Sequence, residues 1–182
     1  MTASEWKAFL ATWTRELSLR ATANPNRPRV IDPSLGLGFP GADDEQIAAA
    51  EARLGATLPR SYSEFLKATN GLLQPYDYVA ACGGDFWPAA EVDWFRTRNA
   101  EWIAAYAPMG DEFVEELRGT LELSHDGDAA VYLLNPRIRT STGEWEAWCF
   151  ASWSPEAERF PSFEAMMRAR FQNFRDGIID GF

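Results

Sequence analysis

Residues 40–71 read PGADDEQIAAAEARLGATLPRSYSEFLKATNG, and they decide how the rest of the chain folds. The first half is a helix from Asp43 to Leu54. Asp43 can accept from the first turn as N-cap, and Gln46, three residues on, can reach back in a capping box. Ile47, Ala50 and Leu54 recur at helical spacing and give one apolar stripe. Gly55 stops the helix, because glycine takes the left-handed C′ conformation cheaply. A Leu58-Pro59 corner follows, and proline fits at the start of a helix, where its missing N–H costs nothing. Tyr62, Phe65, Leu66 and Thr69 then form the inward face of a second helix, which Asn70-Gly71 closes.

Working outward, residues 4–20 place Trp6, Phe9, Leu10, Trp13 and Leu17 on one helical face behind a Ser4 cap. Such a stripe docks on a core or meets a partner. Residues 21–42 hold Pro25, Pro28, Pro33 and Pro40 and read as a long irregular loop. After Gly71, the Gly83-Gly84-Asp85 turn leads to a short strand at Phe86-Trp87 that Pro88 ends. Trp94 starts the next helical stretch as an anchor. Residues 96–118 are helical in composition and broken at Pro108-Met109-Gly110. Residues 120–135 read as two strands around the tight-turn dipeptide Asp126-Gly127. Residues 136–143 read as a loop. From Trp145 to Trp153 both strand faces are apolar, which puts that strand under helices on both sides. Ser162 caps a last helix whose stripe is Phe163, Met166, Met167, Arg170, Phe171 and Phe174.

The order of these elements predicts an α+β fold, a mostly antiparallel β-sheet flanked by helices. It predicts one domain over residues 1–182: an N-terminal helix and Pro-rich loop (1–39) before a core (40–182).

The opening stretch also resembles the signature of the SUKH superfamily, the SMI1/KNR4-like domain. The matching positions are Asp44, Glu45, Ile47, Glu51, Leu54-Gly55, Leu58-Pro59, Tyr62, Phe65-Leu66 and Asn70-Gly71. Further on, Glu91-Val92-Asp93-Trp94 is similar to the family's Glu-Val-x-Trp element. Asp126-Gly127-Asp128 is a shortened form of its Asp-Gly-x-Gly-Asp hairpin, with Ala129-Ala130 following. The resemblance covers about 40–175 and implies the same α+β architecture. For a bacterial chain it implies an immunity protein of a polymorphic or contact-dependent toxin system. For eukaryotic relatives it implies a regulatory scaffold in cell-wall signalling.

Composition bounds the function from another side. The 182 residues are 46% hydrophobic and 14% aromatic with eight tryptophans, too apolar for disorder. The formal net charge of −10 is unsuited to nucleic acid or an anionic membrane and suits a basic partner as well as plain solubility. Between Asp85 and Glu122, three arginines face nine acids and leave −6 in about a fifth of the chain. Cys82 and Cys149 read as two free thiols of a reducing cytosol. The N-terminus has no signal-peptide pattern, and no run reaches a membrane span of about 18 apolar residues. These features place the protein in the cytoplasm.

No set of residues announces catalysis or a cofactor. The one histidine, His125, has Ser124 and Asp126 as neighbours, but adjacent strand residues point to opposite faces and make no triad. Asp126 and Asp128 lack the further oxygen ligands of a calcium loop. No Gly-rich phosphate loop and no Cys/His zinc spacing occur.

The chain therefore reads as a binder without catalytic, cofactor or metal residues. Its expected partner is a cognate toxin with a basic surface, such as a nuclease, which it occludes by docking an acidic face. The candidate contact residues are Asp93, Glu101, Asp111, Glu112, Glu115 and Glu116. A regulatory or scaffold module without a toxin partner is the alternative, and a two-carboxylate hydrolase is a third reading.

Overall fold

A computed structural model describes residues 1–23, 36–73, 83–127, 129–154 and 156–176. Most of the Pro-rich loop, Cys82 and Asp128 lie outside them. The described residues form helices α1 (Ala3–Ala23), α2 (Asp44–Leu54), α3 (Arg60–Ala68), α4 (Phe95–Arg98), α5 (Ala100–Ala105), α6 (Asp111–Arg118) and α7 (Phe163–Asp176), with a 3₁₀ turn at Ala107–Met109. The strands are β1 (Asp93–Trp94), β2 (Leu121–Glu122), β3 (Ala130–Arg139), β4 (Trp145–Ala151) and β5 (Glu158–Phe160). They make one antiparallel sheet in sequence order, an α+β architecture.

The period of two along the strands divides the molecule into layers. Leu121, Tyr132, Leu134, Trp145, Ala147 and Cys149 join the core under α1, α2, α3 and α7. Their neighbours Val131, Leu133, Trp148 and Phe150 point the other way, into a second core with residues of α4, α5 and α6. The doubly apolar strand is β4, covered on both faces as its sequence requires.

The α2–α3 corner is tied down by its own signature residues. The Asp43 capping box is present in full, with the Gln46 N–H donating to Asp43 Oδ1 at 2.8 Å and the Asp43 N–H to Gln46 Oε1 at 3.0 Å. Gly55 takes φ 65°, the left-handed C-cap. Glu51 Oε1 accepts from the Leu58 N–H at 2.8 Å, across the corner. Arg53 donates to the carbonyls of Val92 and Ala89, and Trp94 Nε1 to that of Leu54 at 3.2 Å. These bonds join α2 to the segment that enters the sheet.

Three local readings are corrected. Phe86 forms only isolated bridges, to Leu72 and Ser124; Pro88 has no N–H with which to extend the pairing, and the first strand is Asp93–Trp94 instead. The segment read as a loop from Pro136 is largely strand: β3 runs to Arg139, and a register shift between Asn135 and Arg139 takes up the proline. Cys149 is disulfide-bonded, so the reading of two free thiols, and the argument from them for a reducing compartment, does not hold.

Candidate partner-binding face

The second layer, α4 to α6 over the outer side of β3 and β4, carries the candidate acids. Their settings differ. Glu101, Asp111, Glu112 and Glu115 are exposed, on the first turn of α5 and along α6. Glu115 reaches Arg118 at 3.6 Å one turn on. Asp93, on β1, is half-buried and accepts from the Trp94 N–H at 2.7 Å. Glu116 is held inward: it accepts from Arg159 at 3.0 Å and from Asn135 Nδ2 at 2.8 Å. The Glu116 hydrogen bond in turn holds the Arg159 guanidinium above its ordinary range. Arg159 also lies over the Trp148 ring at 4.2 Å, so Glu116 braces a stacked cation.

An open cleft of about 660 Å³ adjoins Glu101, between α5, the 3₁₀ turn and the end of β4. Its volume is in the range of ligand sites. Trp102, Tyr106, Pro108 and Trp153 form apolar walls, and Glu101 and Ser152 supply polar edges. Trp102 and Tyr106 are seated by Phe150 beneath them, at ring-centroid distances of 5.8 and 5.2 Å. The Tyr106 hydroxyl donates to the Ser152 carbonyl at 3.0 Å, and burial raises its pKa. Trp153 is 46% exposed, an unusual position for the largest apolar side chain. Asp111 and Glu112 come three and four residues after Pro108.

Sequence reasoning marked only Glu101 of this cleft, because its walls come from segments more than 40 residues apart. One sign was available: Trp153 lies between two serines just past an apolar strand, where the pattern no longer needs a buried side chain.

A carboxylate outside the candidate set is the most perturbed acid of the layer. Glu122 is buried opposite Asp93 in the β1–β2 pair. Its Oε1 accepts from Asn99 Nδ2 at 2.9 Å, and Oε2 lies 3.9 Å from Arg98. Burial pushes its pKa up to about 7, against the Asn99 and Arg98 interactions, while Asp126 and Asp93 add repulsion. Asn99 joins α4 to α5, so Glu122 sits beneath the helix that walls the cleft.

The hairpin supports no triad. The Ser124 hydroxyl donates to the His125 carbonyl and accepts from the Tyr132 N–H, while Asp126 Oδ1 accepts from Ala130. Among the described residues, no group of three or more His, Cys, Asp or Glu is placed to hold a metal ion.

The model of the SMI1/KNR4 family (SUKH-1) matches residues 41–169, from just before the α2 cap into α7. The chain belongs to the SMI1/KNR4 family (SUKH-1). That family includes immunity proteins, and SUKH domains are in general non-catalytic domains that bind partner proteins. No curated protein matches the chain. Among the described residues, no helix is long and apolar enough to cross a membrane.

Proposed function

We propose that this SUKH protein is an immunity protein of a bacterial polymorphic or contact-dependent toxin system, acting in the cytoplasm as one domain. It neutralises a cognate toxin by binding it, and it makes or breaks no covalent bond. Family membership carries this reading, and the exposed acids of the α4–α6 layer support an acidic docking face. Of the exposed acids there, Glu101 lines an aromatic cleft, and Asp111, Glu112 and Glu115 lie along α6. Acids of one sign speed encounter with a basic partner, and a few aromatic anchors hold it. Asp93 and Glu116 take a smaller part, since both already accept hydrogen bonds within the fold. A basic toxin whose own substrate is an anion, such as a nuclease, would be blocked by this face.

The test is capture of the product of the neighbouring gene by the tagged full chain, with a viability assay in cells expressing that product. The expected outcome is a stable complex, and survival only where this chain is present. A deletion phenotype in cells that lack any toxin would point instead to a regulatory or scaffold role.

A further inference from the structure

We propose that Arg96, Arg118 and Arg137 form a clamp for carboxylates on the partner protein, at the opposite end of α6 from its acids. This rests on the reading that the α4–α6 layer docks on a protein, and it fixes how that protein is turned. The three residues come from α4, the last turn of α6 and β3, and all are exposed. They gather where α6 ends. Arg96 Nη1 donates to the Arg118 carbonyl at 3.1 Å, and a Cβ added at Gly119, the next residue, would lie 3.4 Å from Arg137 Nε. The helix end accounts for one of these cations, since Arg96 satisfies a terminal carbonyl. The other two have no such task. Arg118 reaches Glu115 at 3.6 Å, but both side chains are more than half exposed, and such a pair contributes little. Among the described residues, the Arg137 guanidinium has neither a hydrogen-bond acceptor nor a carboxylate. Glu116, the other acid nearby, is taken by Arg159 and Asn135.

Three guanidiniums therefore stand together in a chain of net charge −10. A guanidinium presents a planar fork that a carboxylate fills with two hydrogen bonds. Arg96 is preset for this, lying over the Trp94 ring at 5.1 Å. A nucleic acid would carry many phosphates into the −6 of the surrounding stretch, whereas one or two carboxylates meet mainly the local cations. Ile138, next to Arg137 and 45% exposed, adds an apolar contact that a protein can cover. The face is thus bipolar over the eight residues of α6, about 12 Å: Asp111 and Glu112 at one end, guanidiniums at the other. Its complement is a basic surface with carboxylates beside it, and opposite charges at two points set register.

The probe is acetylated, amidated tri-aspartate, titrated into the full chain at low salt and followed by the Gly119 amide and the arginine Nε–H resonances. Neutral tri-asparagine and inorganic phosphate serve as comparators. Saturable shifts are expected at Gly119 and at Arg96, Arg118 and Arg137, and none with tri-asparagine. Arg137→Gln should weaken peptide binding about fivefold, the upper end for an exposed ion pair. Arg60→Gln, an equal charge change at an exposed position on α3 in the other layer, should bind as the parent does. The Arg137 side chain has no bond within the described fold, so its variant should keep the fold. Arg137→Gln binding as the parent does, or equal weakening by both variants, would overturn the clamp. So would shifts with phosphate and none with tri-aspartate, which would mark a small-anion site. The two readings separate on the captured partner. A partner that binds parent and Arg137→Gln alike leaves immunity standing and removes the clamp. Peptide binding as expected, with no toxin protected against, does the reverse.

Discussion

At the scale of single residues, two positions depart from what their surroundings prefer. Ala129 has φ 56°, the one non-glycine residue with a positive φ among those described. It follows the Asp126-Gly127 turn and holds a backbone conformation that glycine adopts at no steric cost and alanine does not. A Cβ in the left-handed region costs roughly 1–2 kcal/mol, partly offset by the extra unfolded-state freedom of glycine. Ala129→Gly should therefore raise stability by about 0.5–1 kcal/mol. A urea midpoint that stays put or falls would contradict this. Glu122 is the other case. Folding favours its protonated form, so its contribution is complete below the ordinary carboxylate value of 4.5 and is lost as pH rises through about 7. Stability of the parent should fall across that window. Glu122→Gln keeps an acceptor for Asn99, should flatten the profile, and at pH 8 should be the more stable by up to about 3 kcal/mol. Thermal melts at pH 5 and pH 8 decide it: parallel profiles for parent and variant would show that Glu122 does not titrate in this range.

Among the elements, local signals were readable and distant ones were not. The capping box at Asp43 and the Gly55 stop lie within a few residues of what they act on, and both formed as the sequence indicates. The alternating faces of β4 were equally plain, because each face has its own core. The start of α3 is different. Pro59 gives it no side-chain cap, and the acceptor comes from Glu144, 83 residues away in the β3–β4 turn. Glu144 accepts from both the backbone N–H and the hydroxyl of buried Ser61. No pattern within α3 could announce that. The same holds for β5, whose Glu158–Phe160 segment pairs with β4 without an alternation of its own, and for the cleft, whose walls meet only after the sheet has formed. The signature residues Glu51, Asn70 and Trp94 turn out to serve the fold: Glu51 accepts from the Leu58 N–H across the α2–α3 corner, Asn70 accepts from the Ala89 N–H, and Trp94 of β1 donates to the Leu54 carbonyl of α2. They identify the family and say little about its partners. Glu144→Ala should cost about 1–2 kcal/mol, the loss of a helix cap that leaves a buried hydroxyl unsatisfied. Glu144→Gln should recover part of it. A lower urea midpoint at unchanged slope is the expected signature.

Across the whole molecule, the sheet separates two layers, each with its own core. The layer of α1, α2, α3 and α7 carries the larger aromatic core, including Trp6 with Phe65 and Phe163 around it. The thinner α4–α6 layer lies on the stretch that holds −6 of the net −10. If the charge acts in recognition, its position has to matter as well as its total. A matched pair of substitutions separates the two. Glu112 and Glu45 are both exposed and both occupy the second position of a helix, α6 and α2, so reversing either meets the same unfavourable helix dipole. Each changes the net charge by two. Glu112→Lys should slow association with the captured partner several-fold at low salt, with little change in dissociation, because steering acts on the encounter. The difference should vanish near 1 M salt, where the screening length shrinks to about 3 Å. Glu45→Lys, on the opposite layer, should associate at close to the parent rate. Equal slowing by both would mean that only the total charge is felt, and the α4–α6 layer would lose its claim to be the docking face.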